Sequence, residues 1–344
     1  MFATLLGTLS RPSSPLAGDA RNANAQRLAD DDAVRQALTA QERAGLEPLT
    51  DGRLRWHGPF GPLAGLEGVV PGDGDGVVGF RSLPAWRGPL KVADWRFAAS
   101  ETALAVKQAL PGPYSAGRRL DDGGLGRERL TLALAEALNA EIRALAEAGC
   151  PLVEIDEPEA VAIGDNAAER RLFTAAHRRL TAAVSDVHLS LALTGGNADT
   201  AGAATFFDLP YASYAVDLIA GPDNWRLVTS APTDRGIVCG ALGPTDDADE
   251  GPEVLVWAAH YAASSGGRGL ARVGLANAPG LESVAWPVVV RKLTRLGDAA
   301  RIAAFESTKE LAEALDPRAV SSRSAALGRA VPPRRRGRGP DPAP

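Results

Sequence analysis

Apolar residues along the chain form short runs that alternate with longer segments in which they recur at helical spacing. A short apolar run bounded by turn-forming residues is typical of a buried strand, whereas a longer segment with a period near 3.6 residues is typical of an amphipathic helix. The strand-like runs cover residues 3–7, 151–155, 187–193, 214–220, 236–243 and 271–276. The helix-like segments cover residues 25–46, 101–110, 125–148, 165–184, 253–263 and 286–305.

This alternation predicts an α/β fold in which helices join parallel strands. The six strand-like runs fall short of the eight strands of a closed barrel, and we expect residues 47–110 to hold the others. The length of 344 residues suits one such barrel, whose size runs from about 200 to over 400 residues. We therefore predict a single (β/α)8 TIM barrel over residues 1–305, a terminal helix over 306–320 and a disordered Arg- and Pro-rich tail over 321–344.

Charge and composition narrow the classes of partner. The six Arg and one Asp of the tail contribute +5 to a net charge of −5, which leaves −10 for residues 1–320. An acidic body repels the nucleic-acid backbone, so we expect no nucleic-acid partner beyond weak non-specific contact by the basic tail. No apolar run approaches the ~20 residues of a membrane span, and residues 1–7 lack the basic start of a signal peptide. Because only Cys150 and Cys239 are present, no disulfide framework is possible, and a cytoplasmic protein is expected.

Two acidic residues and a proline, Asp156-Glu157-Pro158, directly follow the run 151–155. Ligands bind at the carboxyl ends of the strands in a barrel of this kind. Two interpretations are open: Asp156 or Glu157 points into the barrel mouth and binds a cationic group, or the pair caps a helix or forms ion pairs in a loop. His188, inside the run 187–193, is either a metal ligand or a packed core histidine. Nucleotide-binding glycine loops and the Gly-x-Ser-x-Gly nucleophile motif are absent.

Four segments, in order, resemble motifs of the cobalamin-independent methionine synthase family. Residues 6–12 read Leu-Gly-Thr-Leu-Ser-Arg-Pro and are similar to the opening Gly-Ser-x-Pro-Arg-Pro loop of its catalytic barrel. The segments 42–52, 106–114 and 147–158 are similar to the family's threonine-aspartate-glycine, proline-glycine-proline and aspartate-glutamate-proline motifs. The resemblance runs over residues 3–300, and it independently implies the TIM barrel.

The resemblance also implies a chemistry. In the family, a zinc ion activates a thiol substrate, and a carrier of the methyltetrahydrofolate type supplies the methyl group. The resemblance assigns the substrate amino group to Asp156, the substrate carboxylate to Gly7 and Thr8, and further substrate contacts to Glu157 and Arg53. It places the zinc ligands at a His-x-Cys pair, a later Glu and a distant Cys.

This sequence departs from the family at the zinc ligands. The pair reads His188-Leu189-Ser190, Asp217 stands near the Glu position, and Pro279 replaces the last Cys. Serine is a poor zinc ligand and proline has no side-chain donor, so at most His188 and Asp217 remain, below the three or four ligands that zinc requires. Zinc is therefore doubtful. Arg53 stands where the family has Glu, and it would repel an ammonium and attract a carboxylate or phosphate.

Three functions follow from this resemblance. The first is a methyl (one-carbon) transferase that acts on a small amino-acid or thiol substrate, diverged from zinc-dependent homocysteine methylation, with His188 and Asp156 as catalytic residues. The second is a non-catalytic paralogue that binds a small molecule or a partner. The third is a lyase of the uroporphyrinogen decarboxylase type, in which Arg11 and Arg53 would bind substrate carboxylates.

Overall fold

The computed structural model describes residues 1–13, 23–72, 76–246, 251–305, 310 and 315. Within these residues, seven parallel strands form one curled sheet in the order β1-β9-β8-β7-β6-β5-β4, and β2 and β3 form an antiparallel hairpin. The strands are β1 (Phe2–Ala3), β2 (Glu67–Pro71), β3 (Val77–Ala85), β4 (Gln108–Pro111), β5 (Leu152–Asp156), β6 (His188–Leu193), β7 (Ser213–Asp217), β8 (Gly236–Leu242) and β9 (Val273–Asn277). The α-helices of the described residues are α1 (Ala23–Ala44), α2 (Val92–Ser100), α3 (Pro113–Arg119), α4 (Arg127–Glu147), α5 (Ala167–Leu180), α6 (Ala203–Phe207), α7 (Trp225–Ser230), α8 (Pro252–Ser264) and α9 (Trp286–Ala303).

The two edges of the sheet meet at residues 47–50. The Glu47 amide donates to the Ala3 carbonyl at 2.9 Å, and the Leu49 amide donates to the Ala105 carbonyl at 2.8 Å. The Lys107 amide in turn donates a hydrogen bond to the Leu49 carbonyl at 2.8 Å. This segment therefore lies between β1 and the chain that leads into β4. The α/β fold with a curled parallel sheet is confirmed, and the regular eighth strand of a (β/α)8 barrel stays a prediction.

Side chains of the sheet alternate between two buried environments. Successive residues of a strand face opposite sides, so Val153 and Ile155 of β5 pack outward against the helices while Glu154 faces the interior of the sheet. Inside the curl, the small cluster of Leu6, Ala192, Ala215, Val238 and Ala276 fills the middle of the barrel. The interior is thus built from small side chains, whereas large apolar residues lie between the sheet and the helices.

Most of the predicted elements are confirmed, with ends that shift by a few residues. The exception is the segment 101–110, which the spacing predicts to be helical. The structure instead has α2 before it and β4 at its end. The run Val106–Leu110 is buried, and a short buried strand shows no alternation by which it could be told from a helix. The β2–β3 hairpin was not predicted, because its glycine- and proline-rich segment has no clear period.

The predicted terminal helix and basic tail, apart from Glu310 and Leu315, lie outside the described residues. So does the centre of the glycine-aspartate turn, at residues 73–75. No helix among the described residues has the length and apolar character needed to cross a membrane.

Helix α9 approaches the end of helix α1 closely at Gly297. A Cβ atom at Gly297 in α9 would lie 1.6 Å from the carbonyl oxygen of Ala44 at the end of α1. We expect Gly297→Ala to lower the free energy of unfolding by about 1–3 kcal/mol, because the two helices must separate to admit the methyl group. Chemical denaturation measures this. The control Gly88→Ala, whose Cβ would meet no atom within 4 Å, should be near neutral; equal losses would contradict the close approach.

Candidate functional site

A cavity of about 380 Å³ opens at the carboxyl ends of the strands. This is the end at which ligands bind in barrels of this kind. Loops that follow several strands line it, and three of its residues, Gly7, Thr8 and Pro279, come from the two loops that the resemblance aligns with a substrate loop and a zinc-ligand loop. A Cβ atom at Gly7, whose φ is +79°, would lie 3.1 Å from Pro279 Cβ. The remaining polar and aromatic lining is Arg53, Trp56, Phe60, Asp156, Thr194 and Glu282.

An ion pair between Arg53 and Asp156 forms one wall of this cavity. Arg53 Nη1 donates to Asp156 Oδ2 at 2.7 Å, and Thr194 Oγ1 donates to Asp156 Oδ1 at 3.1 Å. The side chains are 7% and 15% exposed. Burial lowers the pKa of Arg53, but the charges of Asp156 and Glu154 outweigh it and leave this pKa raised. Asp156 therefore faces the mouth as predicted, but an internal guanidinium already occupies the carboxylate that was expected to bind an ammonium.

The pair continues into the barrel as a ladder of four buried charges. Glu154 Oε1 lies 3.9 Å from Arg53 Nη2, and Glu154 Oε2 accepts from Lys107 Nζ at 2.7 Å. Lys107 Nζ also donates to the carbonyl of Leu5 at 2.7 Å. Burial lowers the pKa of Lys107, opposed by the charge of Glu154. The charges of Lys107, Glu154, Arg53 and Asp156 alternate in sign along this series and sum to zero. We call these four residues the charge ladder.

Two donors of the cavity wall have no acceptor. Arg53 Nη2 and Trp56 Nε1 are buried and make no hydrogen bond within the described residues. The guanidinium carbon lies 4.6 Å from the centre of the Trp56 ring, so the two groups stack. A buried donor without an acceptor costs roughly 1–3 kcal/mol. Arg53 and Trp56, which line the mouth cavity, therefore carry two buried donors that no group of the described residues satisfies.

Arg53 is held in this position by its own turn. Its φ is +56°, a left-handed conformation that residues other than glycine rarely adopt. The Asp51 side chain accepts from the Arg53 amide at 2.9 Å and so stabilises the turn. The second oxygen of Asp51 is buried and has no hydrogen-bond partner in the part of the chain that the structure describes.

Asp217, one of the two predicted metal ligands, stabilises the turn after β7. Oδ1 accepts from the amides of Ile219 and Ala220 at 3.0 and 2.9 Å, and Oδ2 accepts from the amide of Gly195 at 3.1 Å. The residue is buried and does not line the cavity. Its oxygens thus join the loops after β6 and β7.

His188, the other predicted metal ligand and a predicted catalytic residue, lies at the opposite end of the barrel. It begins β6, and its Nε2 is 2.7 Å from Ser213 Oγ at the start of β7. Asp217 is four residue steps along β7 from Ser213, a distance of about 13 Å at ~3.3 Å per residue. The same number of steps separates Leu152, the partner of His188 on β5, from Asp156. The prediction that His188 and Asp217 ligate one metal, or that His188 acts together with Asp156, is therefore wrong.

Glu157, predicted to bind substrate, lies on the other side of the sheet. Its carboxylate is fully buried and accepts from the amides of Tyr114 and Ser115 at 3.0 and 2.7 Å. His177 Nε2 lies 3.0 Å from Oε1. A Cβ atom at Gly112 would lie 2.0 Å from this carboxyl group, so only glycine allows the approach. Glu157 therefore joins α3 and α5 to the sheet, because consecutive residues of an extended chain face opposite ways.

The residues of the mouth do not fit a zinc ion. Ser190 lies below the mouth on the inner face of β6, Pro279 lines the mouth without a donor atom, and the described lining contains neither histidine nor cysteine. Both thiols are buried in the strand region, and burial raises the pKa of Cys150 and of Cys239 to about 12. Zinc needs three or four nitrogen, sulfur or carboxylate ligands that converge. Here the mouth is lined instead by Arg53, by the ion-paired carboxylate of Asp156 and by the exposed carboxylate of Glu282.

Sequence reasoning missed Lys107, Trp56 and Thr194. The signal for Lys107 was available: a lysine inside the apolar run 106–110 must bury its charge and therefore needs a carboxylate nearby. Trp56 and Thr194 carried no such signal, because a tryptophan in a turn and a threonine after a strand are common.

The fold is thus an α/β fold with a curled parallel sheet, and a cavity lies at the carboxyl ends of its strands. No family profile matches the chain. A methionine synthase of Methanothermobacter marburgensis is 27% identical over 213 residues, which cover 56% of this chain and 66% of that protein. The B12-independent methionine synthase of Shewanella sp. W3-18-1, solved in complex with selenomethionine, superimposes with a TM-score of 0.73 at 18% identity over 87% of this chain and 96% of that one.

Two further solved structures share the fold. A putative vitamin-B12-independent methionine synthase of Listeria monocytogenes has a TM-score of 0.72 at 20% identity, covering 89% of this chain and 98% of that one. A methyltransferase of Methanosarcina mazei has a TM-score of 0.57 at 12% identity, covering 87% and 94%. The resemblance to the cobalamin-independent methionine synthase family is thereby confirmed.

The charge ladder generates a prediction of stability. Lys107→Met should lower the free energy of unfolding by about 3–5 kcal/mol, because it leaves Glu154 buried without its closest cation. The double variant Lys107→Met/Glu154→Leu removes both charges and should recover most of this loss. Denaturant unfolding of both variants measures the coupling. If the double variant is less stable than the single one by a full additive loss, the pair is not electrostatically coupled.

Proposed function

We propose that the chain is a methyl (one-carbon) transferase of the methionine synthase type that binds a small amino-acid or thiol substrate through its carboxylate. The observation that supports this is the stacked pair Arg53 and Trp56, which lines the mouth cavity and whose Nη2 and Nε1 atoms make no hydrogen bond within the described residues. A carboxylate presents two oxygens in the geometry that a guanidinium edge matches. The methionine synthases and the methyltransferase among the relatives support methyl transfer as the reaction class.

The cavity suits an amino acid in size and charge. Its volume of about 380 Å³ lies near the lower end of small-molecule sites, which span roughly 300–1,000 Å³. Arg53 and Trp56 stand in its buried wall, and the exposed carboxylate of Glu282 stands at its rim. An α-amino acid placed with its carboxylate on Arg53 would therefore hold its ammonium toward Glu282. This orientation reverses the assignment that the resemblance gave to Asp156.

The route is proposed to differ from zinc-dependent homocysteine methylation. This proposal is supported by the described lining of the mouth, which contains no imidazole or thiol that could ligate zinc. A methyl donor of the methyltetrahydrofolate type remains the proposed donor, on the strength of the relatives alone. The groups of this chain bind the acceptor, orient it and exclude water from it, because the Arg53–Asp156 pair is nearly buried.

One alternative is favoured by the same observation. A non-catalytic paralogue would lack the thiol-activating ligands and would still bind a carboxylate at Arg53. The decarboxylase-like alternative is not favoured, because Arg11 is bound to Asp30 at 2.5 Å and to the carbonyl of Leu54 at 3.0 Å and does not line the cavity. We also propose a cytoplasmic location, supported by two buried cysteines that remain free.

Carboxylate recognition is tested with a matched ligand pair. L-Methionine should bind at least tenfold more tightly than L-methioninamide, which lacks the charged carboxylate, because a hydrogen bond to a charged group contributes roughly 1.5–3 kcal/mol. Trp56→Phe keeps the ring under Arg53 and removes only the Nε1 donor, so it should erase much of that difference. Isothermal titration calorimetry gives both affinities. The exposed control Arg87→Met should change neither, and equal binding of acid and amide would refute the proposed orientation.

Methyl transfer is tested with an isotopically labelled donor. The protein should transfer label from 5-methyltetrahydrofolate to a carboxylate-bearing acceptor from a panel of thiols and amino acids, at a rate that a chelator leaves unchanged. Metal analysis of the purified protein accompanies the assay. Stoichiometric zinc with chelator-sensitive homocysteine methylation would overturn the proposed divergence. Binding without transfer to any acceptor would favour the non-catalytic alternative.

A further inference from the structure

A second and larger cavity, of about 640 Å³, opens at the amino ends of the same strands. It shares no lining residue with the mouth cavity. The interior of such barrels is ordinarily filled by bulky branched side chains. Here the lining positions on three neighbouring strands and just after β1 are small: Ser190 on β6, Ser213 on β7, Gly236 on β8 and Thr4 after β1. This run of small residues leaves the lower half of the barrel open.

The walls of this lower cavity are mainly apolar, with a few convergent polar groups. Phe2, Pro48, Leu152 and Val238 supply flat or branched apolar surface. The Phe2 ring lies against Gly274, where a Cβ would approach it within 2.5 Å, so the ring seals one side. An apolar pocket with a small number of placed polar groups is the usual form of a small-molecule site.

The polar groups of the lower cavity are uncharged or internally neutralised. His188 Nε2 is 2.7 Å from Ser213 Oγ, and partial burial lowers the pKa of His188, which favours the uncharged ring. Ser190 Oγ lines the cavity beside them. At the floor, Glu154 is neutralised by Lys107 at 2.7 Å. Full charges remain only at the rim, on Glu47, Asp234 and Arg272.

We propose that this lower cavity is a binding site for a small, uncharged aromatic molecule that carries one hydroxyl or N–H group. Its rings pack between Phe2, Pro48 and Leu152, and its polar group bonds to the hydroxyls of Ser190 and Ser213 or to the His188 ring. An anionic ligand is disfavoured, because none of these groups supplies a positive charge and Lys107 is already paired. The site is independent of the proposed mouth function, which recognises a carboxylate.

The proposal is tested with 2-naphthol and 2-naphthoate, which share two rings and differ in charge at pH 7. We expect 2-naphthol to bind at one saturable site and 2-naphthoate to bind at least tenfold more weakly, by titration calorimetry with the full chain. L-Methionine at saturating concentration should leave 2-naphthol binding unchanged, because the two cavities share no residue. Absence of saturable 2-naphthol binding, or displacement of 2-naphthol by methionine, would overturn the proposal.

Two variants assign the binding to this cavity. Ser190→Val and Ser213→Val each add a branched side chain suited to a strand and fill the open interior, so each should weaken 2-naphthol binding at least tenfold. Ser185→Val, at an exposed position, is the matched control and should bind as the parent does. Thermal unfolding confirms that each variant is folded, and single-site binding with unchanged affinity in both interior variants would refute the assignment. Ser190→Val should still bind L-methionine at the mouth. Loss of 2-naphthol binding with methionine binding retained therefore concerns the lower cavity, whereas absence of methionine binding in the parent concerns the proposed function.

Discussion

The alternation of four buried charges determines what each end of this barrel can bind. An ion moved into a protein interior costs several kcal/mol unless it is paired and hydrogen-bonded. Lys107, Glu154, Arg53 and Asp156 meet that requirement only together, since each inner member lies between two charges of opposite sign. An arginine at position 53 is therefore tolerated because Glu154 and Asp156 stand on both sides of it.

The ladder changes the meaning of the aspartate-glutamate-proline motif. An aspartate at the mouth of a barrel can bind a substrate ammonium while it is free. Here Asp156 is the counter-ion of Arg53, and the guanidinium, which has five N–H donors, keeps Nη2 without an acceptor. The proposed function follows from this, because Arg53 rather than Asp156 is then the group that a substrate meets. The role of a motif residue such as Asp156 cannot be predicted from the motif alone when its ion-pair partner comes from a segment about a hundred residues away.

The sequence was sufficient to predict most helices and strands, the parallel order and the family resemblance, because each rests on periodicity or on ordered local motifs. The residues of the candidate site were harder to predict from the sequence. Asp156 and Glu157 are neighbours in the sequence, yet one lines the mouth and the other joins α3 and α5 to the sheet. His188 was assigned to the functional end by its resemblance to the family's His-x-Cys pair, although it stands at the start of the predicted run 187–193 and of β6. Side-chain direction and strand polarity are decided by pairing across the sheet, as in the register of His188 with Leu152.

The charge ladder also changes how the interior of the barrel is filled, compared with a barrel whose core consists of branched apolar side chains. Lys107 and Glu154 line the lower cavity, and Arg53 and Asp156 line the mouth, so the ladder is the partition between the two spaces. Long charged side chains cross the interior where compact layers of valine, isoleucine and leucine would otherwise fill it. The surrounding inner positions are correspondingly small, as at Ser190 and Ala192, and they leave room on both sides. The charge ladder thus accounts for an arginine with an unpartnered donor at the mouth cavity and for the largely apolar lower cavity on its other side.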